Sequence, residues 1–273
     1  ADPFVIRLIF GFSKPKKAIL GVVVAGEVVA IGKAVSNYEN GDQVFGSSGM
    51  AFGAHAEYVA VPEDAVLTHK PENISYEEAA AIPFGATAAM HFLRLANIQA
   101  GQKVLVYGAS GALGTIGVQL ARNFGAEVTA VCSSSNFDLM KSLGADKVID
   151  YTKEDFSENA GYYDVVFDTL GKSPLRKTLR SLKNGGHVLL ANAGFGTMIG
   201  GAVRSIFSKK KIVTGVIKET SEDMNFFKQE IESGKLKAVI DWIYTLKQVV
   251  EAHTYVDKGH KKGNVIIAIN HNS

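Results

Sequence analysis

Downstream of residue 102, short runs of β-branched and other apolar residues alternate with segments in which apolar residues recur every three or four positions. The runs predict buried strands, and the periodic segments predict amphipathic helices. The predicted strands are residues 103–107, 127–131, 147–149, 164–168, 187–191 and 211–217, and the predicted helices are residues 113–124, 137–143, 174–182 and 222–231. Strands that alternate with helices in this way are typical of a parallel, doubly wound α/β sheet.

Residues before 103 follow a different pattern. Short apolar runs at 22–29, 43–45 and 55–61 are separated by glycine-containing turns with no helix between them, which predicts antiparallel strands. A helix is predicted over residues 76–100, because Ser75 and Glu78 have the spacing of a capping box at its start.

The C-terminal part of the chain returns to short strands. Gly234 has the position of a helix C-cap, and it is followed by a predicted strand at 237–241, a helix at 246–256 and a strand at 264–269. We therefore expect one β-rich lobe made of residues 1–83 and 235–273, with an α/β lobe of residues 84–234 inserted between its two parts.

Composition and charge narrow the choice of partners. The 273 residues include 29 Lys and Arg against 27 Asp and Glu, and 47% are hydrophobic, which is typical of a folded globular protein. A net charge of +2 provides no broad positive field, so nucleic acid is not an expected partner. We interpret the two basic clusters, 209–211 and 261–262, as solvated edges. The longest apolar run, residues 18–26, is far shorter than the ~20 residues that span a bilayer, so no membrane insertion is expected.

Cysteine and histidine usage argues against metal chemistry. Cys132 is the only cysteine, which excludes a disulfide within the chain and a four-thiolate zinc site. A single thiol favours a reducing compartment, and we expect a cytoplasmic protein. No signal peptide is visible at the start, although so abrupt a start suggests that the natural N-terminus is missing. The seven histidines have no ligand spacing, and the common zinc-protease, serine-hydrolase and P-loop motifs are absent.

The most specific local signal is a glycine-rich turn. Gly108, Gly111 and Gly114 lie between an apolar strand and a periodic helix, and a second strand follows within the ~30 residues of a βαβ unit. Ala109 stands at the first position of the common G-x-G-x-x-G motif, and Gly111 and Gly114 occupy the other two. Such glycines let the backbone approach a pyrophosphate, which the free N–H groups at the helix start then bind. A tight turn without ligand is the alternative, but the βαβ context favours a dinucleotide.

The end of the second strand indicates which dinucleotide is bound. NAD sites usually have an acidic residue there for the ribose 2′-hydroxyl. This chain has Cys132, three serines (residues 133–135) and Asn136 instead. Hydroxyl groups without a carboxylate can accept a 2′-phosphate, so NADPH is the predicted cofactor, although no Arg or Lys lies within the run to pair with the phosphate.

Several longer stretches resemble the zinc-independent medium-chain dehydrogenases/reductases of the NADPH quinone oxidoreductase type. These stretches are residues 20–46, 52–64, 79–93, the glycine turn, 142–151, 167–172 and the closing KGNVIIAI. The resemblance implies a GroES-like β-barrel substrate lobe (1–83 and 235–273) with a Rossmann lobe (84–234). Complete members carry further N-terminal strands, and the family usually has an acidic residue where this chain has Val23.

The resemblance also implies site residues by position. Those expected at the cofactor phosphates are Thr87, Ser110, Gly111, Ala112 and Leu113. Those expected at the 2′-phosphate are Ser133, Ser134 and Tyr151. Those expected near the nicotinamide and its ribose are Leu170, Ala193, Phe195 and Asn264. The expected lining of the substrate pocket is Asp2, Phe4, Arg7 and Phe52, and no catalytic acid is assigned.

In function, the resemblance implies hydride transfer from NADPH to a quinone or an α,β-unsaturated carbonyl without zinc. One alternative is a structural or regulatory protein that binds NADPH with little turnover. A zinc alcohol dehydrogenase is a third hypothesis, which the cysteine count disfavours. Separately, residues 211–217 form an apolar strand near the end of the wound sheet, and an exposed edge of this kind predicts a homodimer through strand pairing.

Overall fold

The computed structural model describes residues 16–192 and 209–269, and its first sheet is small and antiparallel. Strands β1 (Val23–Glu27), β2 (Gln43–Ser47) and β3 (Val66–His69) form it in that order. The predicted strand at 55–61 is wrong, because this segment is irregular. Where this segment begins, the N–H groups of Ala54 and His55 donate to the carbonyl oxygens of Gly21 and Leu20.

Two helices replace the single one predicted over residues 76–100. They are α1 (Tyr76–Ala80) and α2 (Pro83–Leu95). The predicted capping box is confirmed, since Ser75 Oγ accepts from the Glu78 N–H at 3.2 Å and Glu78 Oε2 accepts from the Ser75 N–H at 2.9 Å. The break follows from Pro83, which has no N–H to continue the hydrogen bonds of α1 but fits the first turn of a new helix.

The second sheet has six strands, all parallel. In chain order its elements are β4 (Lys103–Tyr107), α3 (Ala112–Asn123), β5 (Glu127–Cys132), α4 (Phe137–Ser142), β6 (Lys147–Asp150), β7 (Tyr163–Asp168), α5 (Leu175–Ser181), β8 (Leu182–Leu190) and β9 (Lys211–Val213). The spatial order is β6-β5-β4-β7-β8-β9, so the winding direction reverses between β4 and β7. The predicted doubly wound sheet is confirmed. Ligands of such sheets bind beyond the carboxyl ends of the strands at this reversal.

Strand β9 is shorter than the predicted strand at 211–217. Its pairing with β8 ends where Leu189 faces Val213, and beyond that point Val216 is 88% exposed. Among the strands of the described residues, β9 is nonetheless one of the two edges of the sheet, and β6 is the other.

The C-terminal elements are α6 (Ser221–Glu232), β10 (Ile240–Thr245), α7 (Val249–Asp257) and β11 (Asn264–Ala268). β10 and β11 pair in parallel as a sheet of their own. The strand predicted at 237–241 begins later because the Gln119 side chain takes both backbone groups of Lys237, with its Oε1 at 2.8 Å from the N–H and its Nε2 at 3.0 Å from the carbonyl oxygen. Gly234, with φ +72°, lies just past the end of α6 as predicted.

Hydrophobic clusters cover both faces of the six-stranded sheet. Val104 and Val106 of β4 belong to the larger cluster, and Leu105 between them belongs to the smaller one on the opposite face. In the larger cluster the ring of Phe92 from α2 lies against that of Phe167 from β7, with centroids 5.9 Å apart. Burial on both faces explains why these strands have continuous apolar sequences rather than alternating ones.

Candidate dinucleotide site at the glycine turn

The turn after β4 is closed by glycines that no other residue can replace without displacement of its neighbours. Gly108 has φ +77°, and a Cβ there would lie 2.5 Å from Leu170 Cγ. A Cβ at Gly114 would lie 2.3 Å from the carbonyl oxygen of Gly108. The turn is therefore tight, and α3 packs directly on it.

Gly111 differs from these two, because the space beside it is open. The nearest atom to a Cβ at Gly111 would be the Gly108 carbonyl oxygen, 3.6 Å away. Gly111 is also the N-cap of α3, and no side chain caps the helix there. Uncapped N–H groups at a helix start, together with the helix dipole, form a site for an anion. The predicted phosphate contacts Ser110, Gly111, Ala112 and Leu113 all lie in this turn, so the local geometry fits a dinucleotide pyrophosphate.

A buried carboxylate supports the turn from the end of β7. Asp168 is fully buried and accepts from the N–H groups of Leu170, Gly171 and Ser173 at 2.8–3.0 Å and from the Ser173 hydroxyl at 2.6 Å. Its neighbour Thr169 donates to the carbonyl oxygens of Tyr107 and Gly108 at 2.9 and 3.2 Å. This network holds Leu170, which is 42% exposed, against the turn. Sequence reasoning did not assign Asp168, although it lies in the resembling stretch 167–172.

The C-terminal strand approaches the same turn. Gly263, just before β11, donates its N–H to the carbonyl oxygen of Ser110 at 2.8 Å and forms a parallel bridge with Gly111. Asn264 therefore lies beside the turn, whereas its expected place near the nicotinamide stays a prediction. Its side-chain amide donates to the Val239 carbonyl oxygen at 3.2 Å.

The interpretation of residues 261–262 as a solvated edge is wrong for Lys261. Its Nζ donates to the Gly263 carbonyl oxygen at 2.5 Å. Burial lowers the pKa of Lys261, and the nearby Asp241 carboxylate partly opposes that effect. No feature of the sequence distinguishes this lysine from Lys262.

The third part of the site is the loop after β5. The hydroxyls of Ser133 and Ser135 share a hydrogen bond of 3.0 Å, and Ser134 is exposed. Tyr151 also lies here, 55% exposed, with its N–H bonded to the Cys132 carbonyl oxygen at 3.3 Å. The predicted residues Ser133, Ser134 and Tyr151 are thus close together at the ends of β5 and β6.

A buried carboxylate, Asp150, lies under this loop and was not assigned from the sequence. It accepts from the hydroxyl and the N–H of Thr152 at 2.7 and 3.0 Å. These two bonds lower the pKa of Asp150, with a smaller contribution from the Ser134 hydroxyl.

Two other predicted residues occupy less open positions. Thr87 is 1% exposed within α2, and its hydroxyl donates to the Pro83 carbonyl oxygen at 2.8 Å. Phe52 has φ +59° and is half-buried in the loop between β2 and β3. Five predicted residues lie outside the described part of the chain: Asp2, Phe4, Arg7, Ala193 and Phe195.

Comparison with known proteins decides the family. Residues 5–72 match the alcohol dehydrogenase GroES-like domain, and residues 143–267 match a domain described as zinc-binding dehydrogenase. The chain is 33% identical to a chloroplastic quinone-oxidoreductase QR1 of Triphysaria versicolor over 89% of its own length and 78% of the relative's. The chain belongs to the medium-chain dehydrogenase/reductase family. The predicted family, with its GroES-like and Rossmann parts, is confirmed.

One further relative is similar to this chain in sequence, and one solved structure is similar to it in fold. A 2-methylene-furan-3-one reductase of Solanum lycopersicum is 35% identical over 93% of the chain, and the chain spans 64% of that relative's length. The quinone oxidoreductase structure from Coxiella burnetii superposes with a TM-score of 0.85, at 25% identity, over 98% of this chain and 83% of that one.

The phrase zinc-binding in the matched domain raises the question of whether this medium-chain protein has residues that fit zinc. Among residues 16–192 and 209–269, no three His, Cys, Asp or Glu side chains are grouped so as to hold a metal ion. Cys132 is 3% exposed, and burial, with a contribution from Asp150, raises its pKa to about 11. A zinc site needs several such ligands around one point, so the described residues do not fit a zinc site. The same residues contain no helix long and apolar enough to cross a membrane.

Proposed function

We propose that this protein transfers hydride from NADPH to a quinone or to an α,β-unsaturated carbonyl compound, without zinc. The open space at Gly111 carries the proposal, because it lies at the reversal of the sheet between the start of α3 and the serine loop. A dinucleotide that binds there would place its pyrophosphate on the N–H groups of α3 and its adenosine ribose beside Ser133.

The names of relatives support both the cofactor and the acceptor. A chloroplastic protein of Arabidopsis thaliana, 33% identical over 93% of this chain, is named NADPH-dependent alkenal/one oxidoreductase. The relatives from Solanum and Triphysaria are named as a furanone reductase and a quinone oxidoreductase. These names share one chemistry, the reduction of a conjugated carbonyl or quinone.

In the proposed reaction the protein's residues bind and orient. NADPH supplies the hydride when bound. The start of α3 would bind the pyrophosphate, and Ser133, Ser134 and Tyr151 would hold the 2′-phosphate. Leu170, fixed against Gly108 by the Asp168 network, would lie against the nicotinamide and exclude water from it. Asn264 would lie on the other side of the turn.

The cofactor preference is tested at Ser133. Ser133→Asp places a carboxylate where the 2′-phosphate is expected, so the dissociation constant of NADPH should rise at least tenfold, in order of magnitude, while that of NADH stays or falls. Ser133→Asn, which has the same shape without the charge, is the matched control and should keep the preference for NADPH. Equal dissociation constants of the two cofactors in the unaltered protein would contradict the proposal.

Turnover is tested by NADPH oxidation with a panel of quinones and enals. Oxidation of NADPH with at least one acceptor supports the reductase. Tight NADPH binding without oxidation of NADPH by any acceptor would instead support a structural or regulatory protein.

Three further parts of the proposal concern the lobes, assembly and location. We assign residues 1–83 and 235–273 to the substrate lobe and 84–234 to the cofactor lobe. A homodimer through the exposed edge at β9 is proposed because that edge is the outer strand of the sheet. A cytoplasmic location is proposed from the single cysteine, whereas several relatives are named chloroplastic or mitochondrial.

A further inference from the structure

Asn136 stands at the start of α4 but does not cap it. An asparagine at an N-cap normally accepts a hydrogen bond from the first turn of the helix, and here no such bond is present. Its side-chain amide instead turns back to the serine loop, where Nδ2 donates to Ser133 Oγ at 3.0 Å. The Asn136 N–H also donates to the Ser133 carbonyl oxygen at 3.0 Å. Asn136 is therefore bonded to Ser133 twice.

The other end of the amide has no partner. Asn136 is 6% exposed, and its Oδ1 is one of only two buried side-chain oxygens or nitrogens without a hydrogen bond in the described residues. The other is Asp223 Oδ1, which has an ion pair with Arg94. Leaving a buried acceptor unsatisfied costs free energy, so the orientation of this amide is not explained by its own hydrogen bonding. What the orientation achieves is a donor aimed at Ser133.

That donor restricts the direction in which the Ser133 hydroxyl can point its proton. A serine hydroxyl has one proton and two acceptor sites, and Asn136 occupies one acceptor site of Ser133. If Ser135 donates to Ser133, both acceptor sites of Ser133 are filled and its proton is available. If Ser133 donates to Ser135, the proton of Ser135 is available instead. In either case one hydroxyl proton is left for a ligand, as it would be for the serine pair alone, and the Asn136 donor adds that the Ser133 proton cannot turn toward residue 136.

A free hydroxyl proton of the Ser133–Ser135 pair suits the 2′-phosphate of NADPH better than the 2′-hydroxyl of NADH. The 2′-phosphate of NADPH carries acceptor oxygens and negative charge, whereas the 2′-hydroxyl of NADH must also donate its own proton.

We propose that Asn136 is a positioning residue that sets the preference for NADPH over NADH, because it orients the Ser133–Ser135 pair as a hydrogen-bond donor to the 2′-phosphate. The proposal rests on the proposed function, since it presumes that the dinucleotide site binds NADPH. It adds a residue that does not itself touch the cofactor.

The test compares dissociation constants of NADPH and NADH by isothermal titration calorimetry, with thermal unfolding measured on the same samples. Asn136→Leu removes the Nδ2 donor and keeps a side chain of similar shape. The loss of Oδ1 breaks no hydrogen bond, because Oδ1 has no partner. We expect the dissociation constant of NADPH to rise about tenfold and that of NADH to stay within about twofold. Asn136→Asp should raise the dissociation constant of NADPH further, because a carboxylate there can only accept the proton of Ser133 and adds negative charge.

A double-mutant cycle separates positioning from a general structural effect. In a Ser133→Ala background the substitution Asn136→Leu should no longer change the dissociation constant of NADPH, because its effect passes through the Ser133 hydroxyl. An unchanged ratio of the two dissociation constants in both Asn136 variants, or an undiminished effect in the Ser133→Ala background, would overturn the inference alone. If the unaltered protein binds neither cofactor, or binds both equally, the proposed function fails and the inference fails with it.

Discussion

The backbone N–H of Gly263 donates to the carbonyl oxygen of Ser110 at 2.8 Å, which joins the start of β11 to the glycine turn. Only glycine fits at position 263, because its φ is +55° and a Cβ there would lie 2.2 Å from the Val239 carbonyl oxygen. The bond brings Asn264, the next residue, to a turn that lies far from it in the sequence. The proposed dinucleotide site therefore includes the C-terminal segment as well as the Rossmann unit.

Substitution of two glycines of the turn should affect two different properties, the stability of the fold at Gly114 and the binding of the cofactor at Gly111. Gly114→Ala should lower the free energy of unfolding by about 1–3 kcal/mol, because its Cβ would lie 2.3 Å from the Gly108 carbonyl oxygen. Gly111→Ala should change it by about 1 kcal/mol or less, since the nearest atom is 3.6 Å away, yet should weaken NADPH binding at least tenfold, in order of magnitude. Urea unfolding and calorimetric titration measure the two effects. Unchanged NADPH binding in Gly111→Ala would show that the pyrophosphate lies elsewhere.

The ionised Asp155 carboxylate should contribute slightly to the free energy of unfolding, and this contribution should be lost at acidic pH. Its carboxylate accepts from Lys177 Nζ at 2.7 Å and from the N–H and hydroxyl of Ser157 at 3.0 and 2.7 Å, which lowers its pKa to about 2. Because an unfolded Asp has a pKa of about 3.9, the contribution is complete above that pH and is lost as the pH falls toward 2.

We therefore expect Asp155→Asn to lower the free energy of unfolding at pH 7 by about 1 kcal/mol or less, given the partial exposure of the pair. The difference between the variant and the unaltered protein should shrink below pH 4, in the direction of the lowered pKa. Thermal unfolding from pH 7 to pH 3 measures this difference in stability. Glu158→Gln, which removes an exposed carboxylate nearby in the sequence, is the control. A difference that grows on acidification would contradict the assignment.

Zinc should be absent from the purified protein and unnecessary for its activity. Cys132 is buried, and among residues 16–192 and 209–269 no three His, Cys, Asp or Glu side chains are grouped so as to hold a metal ion. Elemental analysis should find well under one zinc per chain, and chelators should leave NADPH oxidation unchanged. One tightly held zinc per chain would refute this prediction.

The exposed edge at β9 should mediate self-association. Thr214 follows the last paired residue of β9, Val213, so a proline there removes an N–H donor without breaking the paired register with β8. Thr214→Pro should shift sedimentation toward the monomer, and Thr214→Val, which keeps the N–H, should not. A monomer at micromolar concentration in the unaltered protein would exclude the dimer.

Elements whose signals are local could be predicted from the sequence. The βαβ unit around the glycine turn is one example, because its strands are continuous apolar runs and its helix follows glycines at fixed spacing. The Ser75–Glu78 capping box is another, since both of its hydrogen bonds lie within one turn of helix. The order of these elements along the chain was enough to indicate a doubly wound sheet.

Elements that depend on a distant partner could not be predicted in this way. The strand predicted from residue 237 starts later because Gln119 satisfies the backbone of Lys237. Here a side chain from elsewhere in the chain replaced the neighbour that a strand needs.

By itself, then, the sequence determined the glycine turn, the absence of an acidic residue after β5 and the family. Tertiary structure alone decided that Gly263 and Asn264 approach the turn, that Asp168 supports it, and that Asn136 faces Ser133 rather than its own helix. The physical reason is that a backbone turn is fixed by residues next to one another. The partner of a buried polar group is instead fixed by whichever donor or acceptor the fold brings within about 3 Å.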